Sequence, residues 1–308
     1  MNEIFLRAPA TIANVGPGFD IFAFSIARPF DLFRASLAPA PSGITIRCRG
    51  GEGLVPLDAD KNTAGLTAKH ILAKHGLSTG LIFEIHKRMP SCSGLGSSAA
   101  SAAACAVGLD RLLNIGCGEA GLIEAASQGE IASGGTPHAD NAAGCLLGGF
   151  IFVRSFRPID VVRLPIPDIP VVIRVQRKPH MTSRGQIAGS YSLDDVKRQM
   201  ARCADVIRAV AGADVEAFGR AINLDLISEP VRSRAVPGYD ELKKNVLDAG
   251  AWGFNVCGGG SSVFALAPPG RTQEIATLMR AVPLPDGQSP EVIITTTSNQ
   301  GVEVIDGL

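Results

Sequence analysis

No excess of one charge marks this chain: 29 Lys and Arg are matched by 29 Asp and Glu, and no block of basic residues stands out. That excludes the electrostatic footprint by which a protein holds nucleic acid or an anionic membrane, and a small-molecule ligand becomes the expected partner. Paired cysteines are missing as well. The seven present, at 48, 92, 105, 117, 145, 203 and 257, are odd in number, scattered and never spaced C-x-x-C. Neither a disulfide framework nor a zinc site is implied, and they read as free thiols of a reducing compartment. The longest apolar stretch, Ala142 to Val153, falls well short of the ~18 residues a membrane span needs. The opening Met-Asn-Glu-Ile-Phe-Leu-Arg lacks a basic start and an apolar run, so a cytoplasmic location is expected. Repeats and low-complexity tracts are absent too. What remains is 308 residues, 46% of them hydrophobic, enough for two domains of ordinary size with a core each.

Hydrophobic periodicity alternates strands with helices in both halves, which predicts an α+β or α/β chain. Strands are expected at 4–7, 21–26, 43–48, 81–86, 148–153 and 160–164, with helices at 63–75, 97–113 and 119–133. The second half repeats the mixture: strands at 171–176, 253–256, 263–267 and 291–296, and helices at 193–211, 215–224, 239–249 and 272–281. The proline-rich Pro165-Ile-Pro-Asp-Ile-Pro170 is the expected joint between a domain at 1–165 and another at 166–308. Two loops are unusual. Asn14-Val-Gly-Pro-Gly-Phe-Asp20 sets two glycines and a proline between an amide and a carboxylate, and 134–143 gathers His138, Asp140 and Asn141.

The stretch Pro90-Ser-Cys-Ser-Gly-Leu-Gly-Ser-Ser-Ala-Ala100 is the most informative. A glycine-serine loop runs straight into an alanine-rich helix, whose first N–H groups and dipole suit a phosphate. Gly94 and Gly96 let the backbone approach an anion closely, and Ser97 and Ser98 place hydroxyls within reach of a phosphate oxygen or Mg²⁺. The loop has no lysine of the G-x-x-x-x-G-K-[ST] kind, and no V-A-I-K, H-R-D or D-F-G follows, which excludes the P-loop and protein-kinase cradles. A serine hydrolase is disfavoured because no G-x-S-x-G elbow occurs.

Three segments together carry a resemblance: Ala8 to Asp20, Pro90 to Ala100, and the glycine run of Cys257-Gly-Gly-Gly-Ser-Ser262. In order and spacing they resemble the three motifs of the GHMP small-molecule kinases. Within that superfamily the chain is most similar to the homoserine kinases, through Ala13-Asn14, Gly18-Phe-Asp20, Asp60-Lys-Asn62, Gly129 to Ser133, His138 to Asn141 and Glu229-Pro-Val-Arg232. The resemblance implies a two-domain α+β GHMP fold, with a ribosomal-protein-S5-like N-terminal domain and a ferredoxin-like C-terminal one. It implies a homodimer using ATP and Mg²⁺, and a side-chain hydroxyl of a small amino acid, L-homoserine, as phosphoryl acceptor in threonine biosynthesis.

By the same resemblance the nucleotide lies against Asn62, Pro90, Ser91, Ser93, Gly94, Leu95, Gly96, Ser97 and Ser98, and Ser98 and Glu130 hold Mg²⁺. Asn14, Asp20, His138, Asp140, Arg232 and Gly259 face the acceptor, and Arg184 is the candidate to stand in for the family arginine that Gln186 replaces. Carboxylates suit its ammonium and an arginine fork its carboxylate. Asn141 replaces the aspartate base of some GHMP kinases, so the acceptor hydroxyl is expected to attack without a dedicated base. Asn141 then orients it, Lys87 assists and Thr182 joins the catalytic group; Asp140 is the competing base. Where homoserine kinases carry Thr-x-x-x-Arg, this chain reads Thr182-Ser-Arg-Gly-Gln186. Loss of one charge-assisted contact is worth about 1.5–3 kcal/mol, which keeps a different hydroxy acid, amino acid or sugar open as acceptor. A non-catalytic ligand sensor is the rival of another class, but it is expected to have lost Ser98 or Glu130, and both are present.

Overall fold

The computed structural model describes residues 2–38, 42–177, 187 and 190–308. The N-terminal half runs β1 (Glu3–Ala13), β2 (Phe22–Ala38), β3 (Ile44–Arg49), α1 (Thr63–Lys74), β4 (Gly80–His86), α2 (Ser97–Leu113), α3 (Gly118–Gly129), α4 (Ile131–Gly134), α5 (Ala139–Leu147), β5 (Phe150–Phe156) and β6 (Ile159–Leu164). The second half runs β7 (Pro170–Arg174), α6 (Leu193–Ala211), α7 (Val215–Ile222), α8 (Glu229–Arg232), α9 (Tyr239–Asp248), β8 (Gly253–Val256), β9 (Val263–Leu266), α10 (Thr272–Ala281), β10 (Val292–Ser298) and β11 (Glu303–Ile305).

The 17-residue β2 organises the sheet. It pairs antiparallel with β1 along most of its length, with β5 through Phe22–Phe24, with β10 through Ser25 and Ile26, and with β4 through Leu32–Ala38. β3 adds a parallel edge to β4, and β6 extends β5. Through β10 the ladder continues into β7, β9 and β8, so among the described residues eleven strands form one connected sheet. A register shift between Pro9 and Ala10 bends β1 against β2 where the partners on β2 change. The sequence reads only 21–26 as this strand, because Ala27-Arg28-Pro29 and the charges at Asp31 and Arg34 interrupt the apolar pattern.

α1, α2, α3 and α5 pack together over the sheet's β1–β2 region. Alanine lets them come close: Ala99, Ala100, Ala102, Ala103, Ala104 and Ala106 of α2 are all buried. Phenylalanines carry the core toward the second half, with Phe24 set edge-on to Phe264 at 5.7 Å and to Phe218 at 6.2 Å. Burying each such ring contributes roughly 1.5–3 kcal/mol. The proline-rich 165–169 connection is tied down rather than hanging free. Ile166 N–H donates to Asn299 Oδ1 and Ile169 N–H to Thr297 Oγ1, both next to or on β10. A stretch expected to be irregular is helical, with α5 beginning inside the polar 134–143 loop, and Glu229–Arg232 forms the short α8. Among the described residues no helix is long and apolar enough to cross a membrane.

Candidate active site

A cleft of about 560 Å³ opens where the loop before α2 meets the Asn14–Asp20 turn and the glycine run after β8. Its floor is the helix start. Gly96 stands at the N-cap of α2 with φ 71° and no side-chain cap, so the first amides of the helix face the cleft unshielded. Thr11 N–H donates to Leu95 C=O at 3.1 Å and holds the loop to β1. Gly94, at φ +83°, lies so close to the other glycine run that a Cβ would stand 2.3 Å from the Cys257 carbonyl oxygen. Gly94→Ala is therefore expected to lower stability by at least about 1–3 kcal/mol, and to weaken ATP binding; thermal unfolding and nucleotide titration measure both.

Ser98 and Glu130 meet at one side of this floor. Glu130, 1% exposed between α3 and α4, accepts the Ser98 hydroxyl at Oε2 over 3.1 Å. Neighbouring oxygen ligands of an octahedral Mg²⁺ with 2.0–2.1 Å bonds lie about 2.9 Å apart, so this hydroxyl-carboxylate pair fits such an ion in chemistry and spacing.

Lys87 takes a different position from that of a group aimed only at the cleft. Its side chain is 3% exposed and its Nζ donates to Asp31 Oδ2 at 2.8 Å, Ser97 C=O at 2.6 Å, Ser97 Oγ at 2.8 Å and Ser101 Oγ at 2.9 Å. Four acceptors surround three donors. Asp31, fully buried, also accepts the N–H groups of Arg88 and Met89. Asn62 is similarly committed. Its Oδ1 accepts from Ala64 and Gly65 N–H as the cap of α1, and its Nδ2 donates to Pro56 C=O. It lines the cleft beside Leu54, Val55 and Pro56.

Asp20 and His138, which line the cleft, and buried Asp140, which does not, bring one polar atom each within 4.8 Å of one another. His138 Nδ1 lies 3.7 Å from Asp20 Oδ1, and Asp20 N–H donates to Asn14 Oδ1 at 2.8 Å. His138 stands at the N-cap position of α5 without a side-chain cap bond, which places buried Asp140 in the first turn and Asn141 beside the phosphate loop. Asn141 Oδ1 accepts the Thr11 hydroxyl at 3.1 Å. Arg232, 8% exposed, donates from Nη1 to Gly258 C=O at 2.7 Å, and its guanidinium carbon stands 5.1 Å above the Phe19 ring. Pro90, Ser91, Ser93, Leu95, Ser97 and Gly259 line the same cleft.

Thr182, Arg184 and Gln186 lie outside the described residues. Thr11, Phe19 and Gly258 fall inside stretches the sequence singles out without a role of their own there, and Asp31 was missed. Its signal is a lone carboxylate between apolar residues in Pro29-Phe-Asp-Leu-Phe33.

The sequence model of the GHMP kinases N terminal domain matches residues 62–149, and that of the GHMP kinases C terminal region matches residues 206–282. A homoserine kinase of Methanopyrus kandleri is 39% identical over 284 residues, spanning 90% of this chain and 91% of its own. One from Chlorobium phaeobacteroides is 34% identical over 97% of this chain and 98% of its own. The crystal structure of homoserine kinase from Cytophaga hutchinsonii matches with a TM-score of 0.89 at 35% identity, covering 99% of this chain and 98% of that one.

Proposed function

We propose that this chain, which belongs to the GHMP kinases, transfers the γ-phosphoryl group of ATP to the side-chain hydroxyl of L-homoserine. The observation that carries the reading is one cleft that holds two chemistries. Uncapped helix amides and a Ser98–Glu130 pair line it together with Asp20, His138 and Arg232. A zwitterionic acceptor fits the second set: Asp20, with buried Asp140 close by, suits an ammonium, and the Arg232 fork suits a carboxylate.

The Gly94–Ser98 backbone and the start of α2 cradle the phosphates. Ser98 and Glu130 are the residues that hold Mg²⁺, which neutralises phosphate charge when bound. Lys87 acts on the loop: by gripping both the carbonyl and the hydroxyl of Ser97 it fixes the first turn of α2. Asn62 shapes the base end by capping α1 and bonding Pro56 C=O, which leaves one Nδ2 N–H for the nucleotide. Asn141, whose oxygen is taken by Thr11, presents its NH₂ to the acceptor hydroxyl and cannot abstract a proton from it. Phosphoryl transfer through a loose transition state asks for positioning and charge neutralisation more than for a base. Asp140→Asn is accordingly expected to raise acceptor KM and keep most of kcat.

The test is Mg²⁺-dependent ADP release over a panel of L-homoserine, L-threonine, L-serine, hydroxy acids and sugars. Saturable turnover with homoserine far above the others is the expected result; preference for another acceptor would reassign the substrate within the same kinase class. Arg232→Met should raise the homoserine KM by about ten- to a hundredfold, and leave the ATP KM unchanged. An equal loss of both affinities would remove Arg232 from the acceptor end.

A further inference from the structure

Arg232 sits on α8, a single turn of four residues, too short to hold its own direction. Something else must aim it. The N-terminal side of the turn is pinned by buried Asp225, whose carboxylate accepts the N–H groups of Ile227, Ser228 and Glu229. Three residues before the arginine, Glu229 is itself 9% exposed and accepts from two further elements. Tyr239 Oη donates to it at 2.9 Å and Lys243 Nζ pairs with it, both from α9, while Asn255 Nδ2 of β8 donates to its Oε2 at 3.3 Å.

These contacts close a ring. β8 ends one residue before Cys257, and the next residue, Gly258, offers the carbonyl that Arg232 grips. Glu229 therefore holds, through Asn255, the same segment that Arg232 reaches, and holds, through its own turn, the base of Arg232. A buried ion pair adds little net stability over apolar packing of equal volume, so scaffolding alone is a poor account of this carboxylate. We infer that Glu229 is a positioning residue for acceptor specificity: with Lys243, Tyr239 and Asn255 it fixes the Arg232 fork at the place where an acceptor carboxylate docks. The inference rests on the assignment of Arg232 to that carboxylate.

The experiment is a double-mutant cycle of Glu229→Gln and Arg232→Met. kcat/KM is read for L-homoserine and for 3-aminopropan-1-ol, which keeps the ammonium and hydroxyl but has no carboxylate. In the wild type, homoserine should be much the better acceptor. Glu229→Gln is expected to raise homoserine KM by about tenfold and change kcat and ATP KM by less than about twofold. It should also shrink the preference over the amino alcohol. In the Arg232→Met background the same change should add nothing, because the two act as one unit. An undiminished effect in that background, or a lowered melting temperature with an unchanged KM, would overturn the inference and leave Glu229 as scaffold. If Glu229→Gln fails to fold, Lys243→Met and Tyr239→Phe each remove one donor and should give smaller versions of the same KM shift. A wild type that does not prefer homoserine to the amino alcohol defeats the assignment of Arg232, and that is seen before any substitution at Glu229 is read.

Discussion

Glu130→Gln is expected to lower kcat by about 10²–10³-fold, and to leave the fold intact. Glutamine keeps the shape and can still bond the Ser98 hydroxyl, which sits 3.1 Å from Oε2. What disappears is one full negative charge, on a side chain 1% exposed, at the point where a hard cation must be held against phosphate. In so shielded a place the charge is screened little, so its loss is felt nearly undiminished. The assay is ADP release across a Mg²⁺ titration, with ATP binding followed separately. A shifted Mg²⁺ requirement with ATP still bound supports the ligand role, whereas an unaltered titration curve would make Glu130 a structural residue.

Lys87→Met should cost about 3–5 kcal/mol of stability, the largest effect expected of any single change near the cleft. The reason is the partner left behind. Asp31 is fully buried, and without Lys87 its charge keeps only the Arg88 and Met89 amides and the Ser97 hydroxyl. Adding Asp31→Asn removes that stranded charge, so the double variant should recover part of the loss. Urea unfolding of the wild type, both single variants and the double variant measures the coupling. Additive losses would mean that the pair does not act as a unit. Nucleotide affinity should fall with Lys87 in either background, since the Ser97 carbonyl and hydroxyl lose their common donor.

The phosphate-facing half of the cleft was legible in the sequence because its signals are local. Glycines, serines and a run of alanines at consecutive positions specify a loop, an uncapped helix start and a packed helix without help from distant residues. The acceptor half was legible only as a joint pattern, since His138, Asp20 and Arg232 are far apart in the chain and each alone reads as an ordinary polar residue. Local pattern misled at 134–143, where polar density reads as loop although Asp and Asn also belong to helix starts, and α5 in fact begins at Ala139. It also misled at β2, whose charged interior residues look unstrandlike until Lys87 and the loop amides are brought to Asp31 from more than fifty positions away. β11, three residues long, offers too little sequence to carry any periodicity.

The pairing of β1 with β11 sets Phe5 opposite Ile305, so β1 waits for a partner about 300 positions further along the chain. At roughly 5–20 residues per second of synthesis, some 15–60 seconds separate the two. For that interval the Phe5–Arg7 edge of the nascent sheet stays open to foreign strands, an edge that carries Arg7 and is followed by Pro9. A charge on so open an edge disfavours foreign pairing until Glu303 of β11 arrives to meet Arg7.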